Sequence, residues 1–117
     1  MKIINVGRDF SEHPIGRYRS DGPESGEAFR EDVLIPALQE LGPDERITVI
    51  LDDGVDGYGS SFLVEAFAGV VKVGVMEAEA LLDRLDFQYT DADFEFFADK
   101  IRQYLQEADF GCERGDA

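Results

Sequence analysis

From Ile47 to Leu51 the chain runs Ile-Thr-Val-Ile-Leu and then stops on Asp52 and Asp53. The run has no polar alternation in its second half. It predicts a central strand over 46–52, buried on both faces between helices. Alternation predicts two more strands, at 2–7 and at 86–90, where Phe87 and Tyr89 alternate with polar neighbours. Helical spacing accounts for the rest. Phe29, Val33, Leu34, Ala37, Leu38 and Leu41 share one face of a helix over 27–41, with Ser25 as its cap and Gly42-Pro43 as its stop. Pro36 removes one hydrogen bond from that helix and predicts a kink or a division after Leu34. A helix over 60–73 ends at Gly74. A short one from Glu77 to Leu85 offers Ala78, Leu81, Leu82 and Leu85 to the core. A last helix spans 91–108, with Thr90 as cap, Asp91 and Asp93 in the first turn, and a buried stripe of Phe94, Phe97, Ile101, Tyr104, Leu105 and Ala108. Residues 8–26 are a polar loop with a short strand near 16–19. The expected organisation is one layered α/β domain over 1–110, followed by a polar, disordered tail over 111–117.

The helix at 60–73 breaks the usual amphipathic pattern. Glu65 and Lys72 are its clear polar positions, with Gly69 between them, and nearly everything else is apolar. Such a helix is either covered by its own domain or lends surface to a partner or a second copy.

Composition narrows the function classes. The formal net charge is −15, from 26 acidic and 11 basic residues. Repulsion of this size argues against nucleic acid and anionic membrane as partners. It equally serves plain solubility. No apolar run approaches the ~20 residues that span a bilayer, and the first residues are too strand-like for a signal peptide. Cys112 is the single cysteine, so no internal disulfide forms. A reducing cytoplasmic setting is the expectation.

Candidate chemistry gathers where the central strand ends. Gly54-Val55-Asp56-Gly57-Tyr58-Gly59 is a glycine-spaced turn, and Ser60-Ser61 then opens the apolar helix. Helix N-termini offer unpaired N–H groups and the positive end of the dipole, so Tyr58, Gly59, Ser60 and Ser61 are candidates for a phosphoacceptor or anion site. Helix capping by serine explains the same pattern. Arg17, Arg19 and Arg30 are candidate anion ligands, or merely neutralise Asp21, Glu27 and Glu31. Asp52, Asp53 and Asp56 stand beyond the carboxyl end of the strand, where a Mg²⁺-dependent phosphatase-like site is one alternative and solvated turn residues the other. His13 is the sole histidine. The glycines precede the serines, so there is no Gly-x-Ser-x-Gly elbow, and neither a dinucleotide fingerprint nor a P-loop lysine is present. No metal and no cofactor is expected.

Three blocks carry a resemblance. Ser25-Gly26-Glu27-Ala28-Phe29-Arg30, Leu34-Ile35-Pro36-Ala37-Leu38 and Gly57-Tyr58-Gly59-Ser60-Ser61-Phe62-Leu63-Val64-Glu65-Ala66-Phe67-Ala68-Gly69 resemble the bacterial and archaeal STAS-like domain of unknown function, over about residues 3–107. More distantly, the strand, acid, loop and Ser-Ser helix look like the STAS domains of anti-sigma factor antagonists. There an Asp-Ser-Ser-Gly sequence opens a helix and its first serine is phosphorylated by a GHKL-type kinase. By position that acceptor is Ser60, with Gly59 in place of the aspartate and Phe62 in place of the following glycine. The resemblance implies a central mixed sheet flanked by helices. It also implies a non-enzymatic regulatory module partnering a GHKL-type ATPase or kinase, with Gly57, Phe62, Glu65 and Gly69 as candidate partner contacts. A homodimer is a further expectation. A small anion- or nucleotide-binding protein using the helix start at Gly57–Ser61 is the alternative from another class.

Overall fold

The computed structural model describes residues 2–113. Three strands, β1 (Lys2–Asn5), β2 (Ile47–Ile50) and β3 (Leu85–Gln88), form one sheet in the order β1-β2-β3. Both pairings are parallel, with Ile4 opposite Val49 and Val49 opposite Phe87. The sheet is therefore purely parallel, which corrects the expectation of a mixed one.

Burial on both faces of β2 is corrected too. Ile47, Val49 and Leu51 are fully buried, but Thr48 and Ile50, on the other face, are only half-buried. Their row-mates Ile3, Asp86 and Gln88 are exposed, Ile3 at 55%. Right-handed crossovers in a monotone strand order carry both connections over the same face. The helices thus form a single layer and leave the opposite face of the sheet bare.

The helical layer contains α1 (Val6–Asp9), α2 (26–39), α3 (60–72), α4 (Ala78–Arg84) and α5 (Glu95–Glu107). α3 lies at its centre, against α2 and α5. Phe62, Leu63, Ala66, Phe67, Ala68, Val70 and Val71 are all buried. Most of the apolar periphery of this helix is thus covered by its own chain, with Val64 and Val73 half-buried. Gly74, at φ +83°, ends it: Gly74 N donates to Val71 O at 3.0 Å and Val75 N to Val70 O at 3.1 Å.

α2 and α3 each contain a wider, π-helical turn, at Arg30–Leu34 and Val64–Ala68. Pro36 does not break α2. Ile35 N reaches back five residues to Arg30 O, and α geometry resumes with the proline already inside. A π turn is one of the ways a helix absorbs a missing donor.

Local boundaries moved for identifiable reasons. Residues 6–9 form the turn α1 rather than more strand, because the Asn5 side chain accepts from Arg8 N at 3.1 Å and Gly7 sits directly against the Asp53 carbonyl, where a Cβ has no room. The strand expected near 16–19 is replaced by a 3₁₀ turn at Arg19–Asp21. The Asp21 carboxylate accepts from Arg17 N at 3.1 Å and Tyr18 N at 2.9 Å, which satisfies the backbone locally. Asp91, not Thr90, caps the final helical segment, accepting from Asp93 N at 2.9 Å ahead of a 3₁₀ turn at Ala92–Phe94. At the expected tail, Gly111 N donates to Val71 O at 2.9 Å and Glu113 N to Lys72 O at 2.7 Å; residues 114–117 lie outside the described residues.

Candidate functional site

The segment from Leu51 to Gly59 leaves the centre of the sheet and enters α3, and it is pinned along its length. Leu51 N continues the ladder to Gln88 O at 2.9 Å. Asp53 Oδ2 accepts from Asn5 Nδ2 at 2.8 Å and pairs with Arg8 Nε at 3.0 Å. Gly54 takes φ +82°, a conformation that favours glycine. Val55 is buried. Tyr58 folds back so that its hydroxyl donates to Leu51 O at 2.7 Å, while its ring meets Phe62, Phe94 and Phe97 at centroid distances of 5.8, 6.5 and 5.5 Å. Burial, with the nearby Asp52 charge, pushes the Tyr58 phenol well above its usual range. Tyr58 is thus an anchor for the loop and a neutral donor, not an ionisable ligand.

At the helix start the geometry separates the serines from capping. Gly59 is the N-cap residue, with extended φ −77° and ψ 148° and no side-chain cap. Ser60 and Ser61 are the first two helical residues, both exposed. Among the described residues neither hydroxyl has a hydrogen-bond partner. A serine that caps a helix points its oxygen at backbone N–H groups one turn on; these do not. They lie on the rim of a depression of about 580 Å³ that also takes in Arg17 and Asp21.

The three arginines divide. Arg19 is held by Glu31 at 3.0 Å and Asp32 at 2.8 Å. Arg30 is buried, donating to Glu65 Oε2 at 2.6 Å and Glu65 O at 2.9 Å. Only Arg17 faces the depression beside Ser60, so the three-arginine pocket for an anion is not assembled.

The aspartates divide as well. Asp52 Oδ2 accepts from Thr90 N, Thr90 Oγ1 and Asp91 N at 2.8, 3.1 and 2.8 Å. Asp53 turns to Asn5 and Arg8, and Asp56 is exposed with no partner among the described residues. Their ligand sets point apart, and no group of three acids or other metal-ligating side chains suited to a metal ion exists among the described residues. The phosphatase-like arrangement is not formed. Desolvation pulls the Asp52 carboxyl upward, but the donors from Asp91 and Thr90 outweigh it and hold the group below its ordinary 3.8. A depressed folded-state pKa gives stability that is fully present above the unfolded value and is lost as pH falls through the folded one. Asp52→Asn is expected to flatten the acid limb of the melting temperature below about pH 4, leaving the profile near neutrality parallel to that of the parent. Thermal scans from pH 2 to 7 check this, and an unchanged acid limb contradicts it.

Of the expected partner contacts, only Gly57 stays at the surface. Phe62 is 0% exposed among Phe10, Phe29 and Tyr58. Glu65 is buried in its pair with Arg30, and Gly69 leaves the space that the Arg30 side chain fills. These three residues pack the fold and reach no partner unless it opens. Ile15 was not among the expected site residues, yet it is 67% exposed at the edge of two depressions. An isoleucine between Pro14 and Gly16 in an otherwise polar loop was the available signal.

No curated protein and no solved structure matches the chain. A family model of the STAS-like domain of unknown function matches residues 25–93, from the cap of α2 to the start of the last helical segment. The match takes in the Ser25–Arg30, Leu34–Leu38 and Gly57–Gly69 blocks and more than half of the chain, and the protein belongs to that family.

Proposed function

We propose that the protein is a non-enzymatic regulatory module that binds a protein partner, a GHKL-type ATPase or kinase, at the 54–59 loop and the first turn of α3, with Ser60 as the position that switches binding. The observation that carries this reading is the pair of exposed hydroxyls, free of any capping duty, at the start of a helix whose entry loop is held rigid by Tyr58, Val55 and Asp53. A modifying enzyme reaches an exposed hydroxyl. The helix N-terminus tolerates added negative charge, and about −1.5 to −2 charges at that point alter what an acidic surface attracts. Because α3 is covered by its own chain, the proposal does not use its apolar face for a second copy.

Ser60→Ala and Ser60→Asp test the reading. Ser60→Ala is expected to stay within about 0.5 kcal/mol of parental stability, since no cap bond is lost. Ser60→Asp is expected to gain a few tenths of a kcal/mol, from the helix dipole. In calorimetric titration with a purified GHKL-type ATPase from the source organism, the parent and Ser60→Ala bind alike, and Ser60→Asp weakens binding at least about tenfold, roughly 1.4 kcal/mol. Equal binding by all three proteins, or none by the parent, overturns the proposal. A loss of about 1 kcal/mol of stability in Ser60→Ala returns the serine to capping.

A further inference from the structure

The depression beside Ser60 does not end at Gly59. A second one, of about 410 Å³, continues on the other side, and the two share Ile15 and Gly59. Together they make one groove between the 12–17 and 56–61 segments. Its ends differ in the groups they leave unpaired: acceptors at one, donors at the other. At one end the carboxylates of Glu12 and Asp56 are exposed and have no hydrogen-bond or ion-pair partner among the described residues. At the other end lie the Arg17 guanidinium, likewise without a partner among the described residues, the first N–H groups of α3 at Ser60 and Ser61, and the Asp21 carboxylate, whose Oδ2 is already engaged by Arg17 N and Tyr18 N. Between them the floor is apolar and open. Gly59 contributes no side chain, and a Cβ built there meets nothing within 4 Å.

Ile15 stands over this floor and is held in place. Its own N–H donates to Glu24 O at 3.0 Å, and the next carbonyl, Gly16 O, accepts from Gly26 N at 3.0 Å. An exposed aliphatic side chain on a fixed backbone loses little freedom on contact, so it is suited to anchor an interface.

Resting on the function proposed above, we infer that the groove receives an extended peptide segment of the partner, ordered basic, apolar, acidic. A lysine or arginine meets Glu12 and Asp56, an aliphatic side chain covers Ile15 above Gly59, and a carboxylate reaches Arg17 and the start of α3. The free carboxylates at one end and the free donors at the other fix the direction of the segment, which is the main contribution of polar complementarity at an interface. A phosphate on Ser60 would occupy the positive end, so modification and segment compete for the same place.

The test uses three acetylated, amidated pentapeptides at low salt, followed by amide shifts in ¹⁵N-labelled protein. Lys-Gly-Leu-Gly-Asp is the matched probe, Asp-Gly-Leu-Gly-Asp lacks the basic end, and Lys-Gly-Leu-Gly-Lys reports general attraction to an acidic protein. The matched peptide is expected to bind in the millimolar range, with shifts confined to residues 12–17 and 56–61. The Glu12→Gln/Asp56→Asn double variant should weaken it about fivefold, and Ile15→Ser should remove saturable binding. Equal binding by the all-basic peptide, shifts elsewhere on the molecule, or no binding by the matched peptide overturns the inference. Ser60→Asp separates this inference from the switch. If the matched peptide binds and Ser60→Asp leaves it unaffected, the groove stands and the switch falls. If Ser60→Asp blocks the ATPase but no peptide binds, the switch stands and the groove falls.

Discussion

Arg30→Ala is expected to cost about 3–5 kcal/mol of folding stability, the most of any charge removal in the molecule. Arg30 and Glu65 are 4% and 7% exposed, and their 2.6 Å contact joins the π turns of α2 and α3 at the centre of the helical layer. Removing the arginine leaves the Glu65 carboxylate and the Glu65 carbonyl without their shared donor in a site closed to water. It also empties the space above Gly69, which the arginine side chain fills. The pair as a whole is a different matter. Desolvating two charges offsets most of their attraction, so Arg30→Met combined with Glu65→Leu is expected to lie within about 2 kcal/mol of the parent. Denaturant unfolding at pH 7 measures both. A single-variant cost below about 1 kcal/mol would show that the pair is solvated in solution. A double variant as poor as the single one would show that the ion pair itself, not relief from an orphaned charge, holds the two helices.

The second large effect belongs to Phe62→Ala, expected at about 3–5 kcal/mol. The ring is enclosed by Phe10 at 6.2 Å, Phe29 at 5.9 Å and Tyr58 at 5.8 Å between centroids. Its loss opens a cavity beneath the candidate site and frees one side of Tyr58, whose hydroxyl ties the loop to Leu51. Amide exchange over 57–61 is therefore expected to accelerate beyond what the lower global stability explains, while the sheet amides follow the global change alone. Phe62→Leu retains most of the volume and should cost less than half as much. Uniform acceleration across the chain in Phe62→Ala would mean that the loop does not depend on this ring.

Fold class and the number of major elements were legible because they rest on local rules. The apolar run at 47–51 predicts a strand from its own side chains, and Ser25 and Gly74 mark a helix start and a helix end by the backbone bonds their positions make. Of the expected stripe of the last helix Phe94, Ile101 and Leu105 are buried, Phe97, Tyr104 and Ala108 are half-buried, and Ala98 joins the buried face unforeseen. The composition of 60–73 left coverage by the domain or by a partner open, and the tertiary structure buries Phe62, Leu63, Ala66, Phe67, Ala68, Val70 and Val71 within the chain.

What the sequence did not contain is direction in three dimensions. An apolar run is compatible with burial on two faces or with one buried and one half-covered face. The choice fell to the parallel order β1-β2-β3, which carries both crossover connections over one side, where the last helix also packs against α3. Three arginines within fourteen residues look like a pocket until the fold gives Arg30 to Glu65 and Arg19 to Glu31 and Asp32, leaving Arg17 alone beside Ser60. Three aspartates within five residues look like a metal site until Thr90, Asp91, Asn5 and Arg8 arrive from distant parts of the chain and turn the carboxylates apart. The sequence by itself determined the major strands and helices, the place of the Ser-Ser helix start and the acidic charge, because those depend on neighbours along the chain. Which charges remain free, which face of the sheet stays bare, and that Ile15 and Gly59 line one groove were decided only by the tertiary structure, because each depends on a partner far away in sequence.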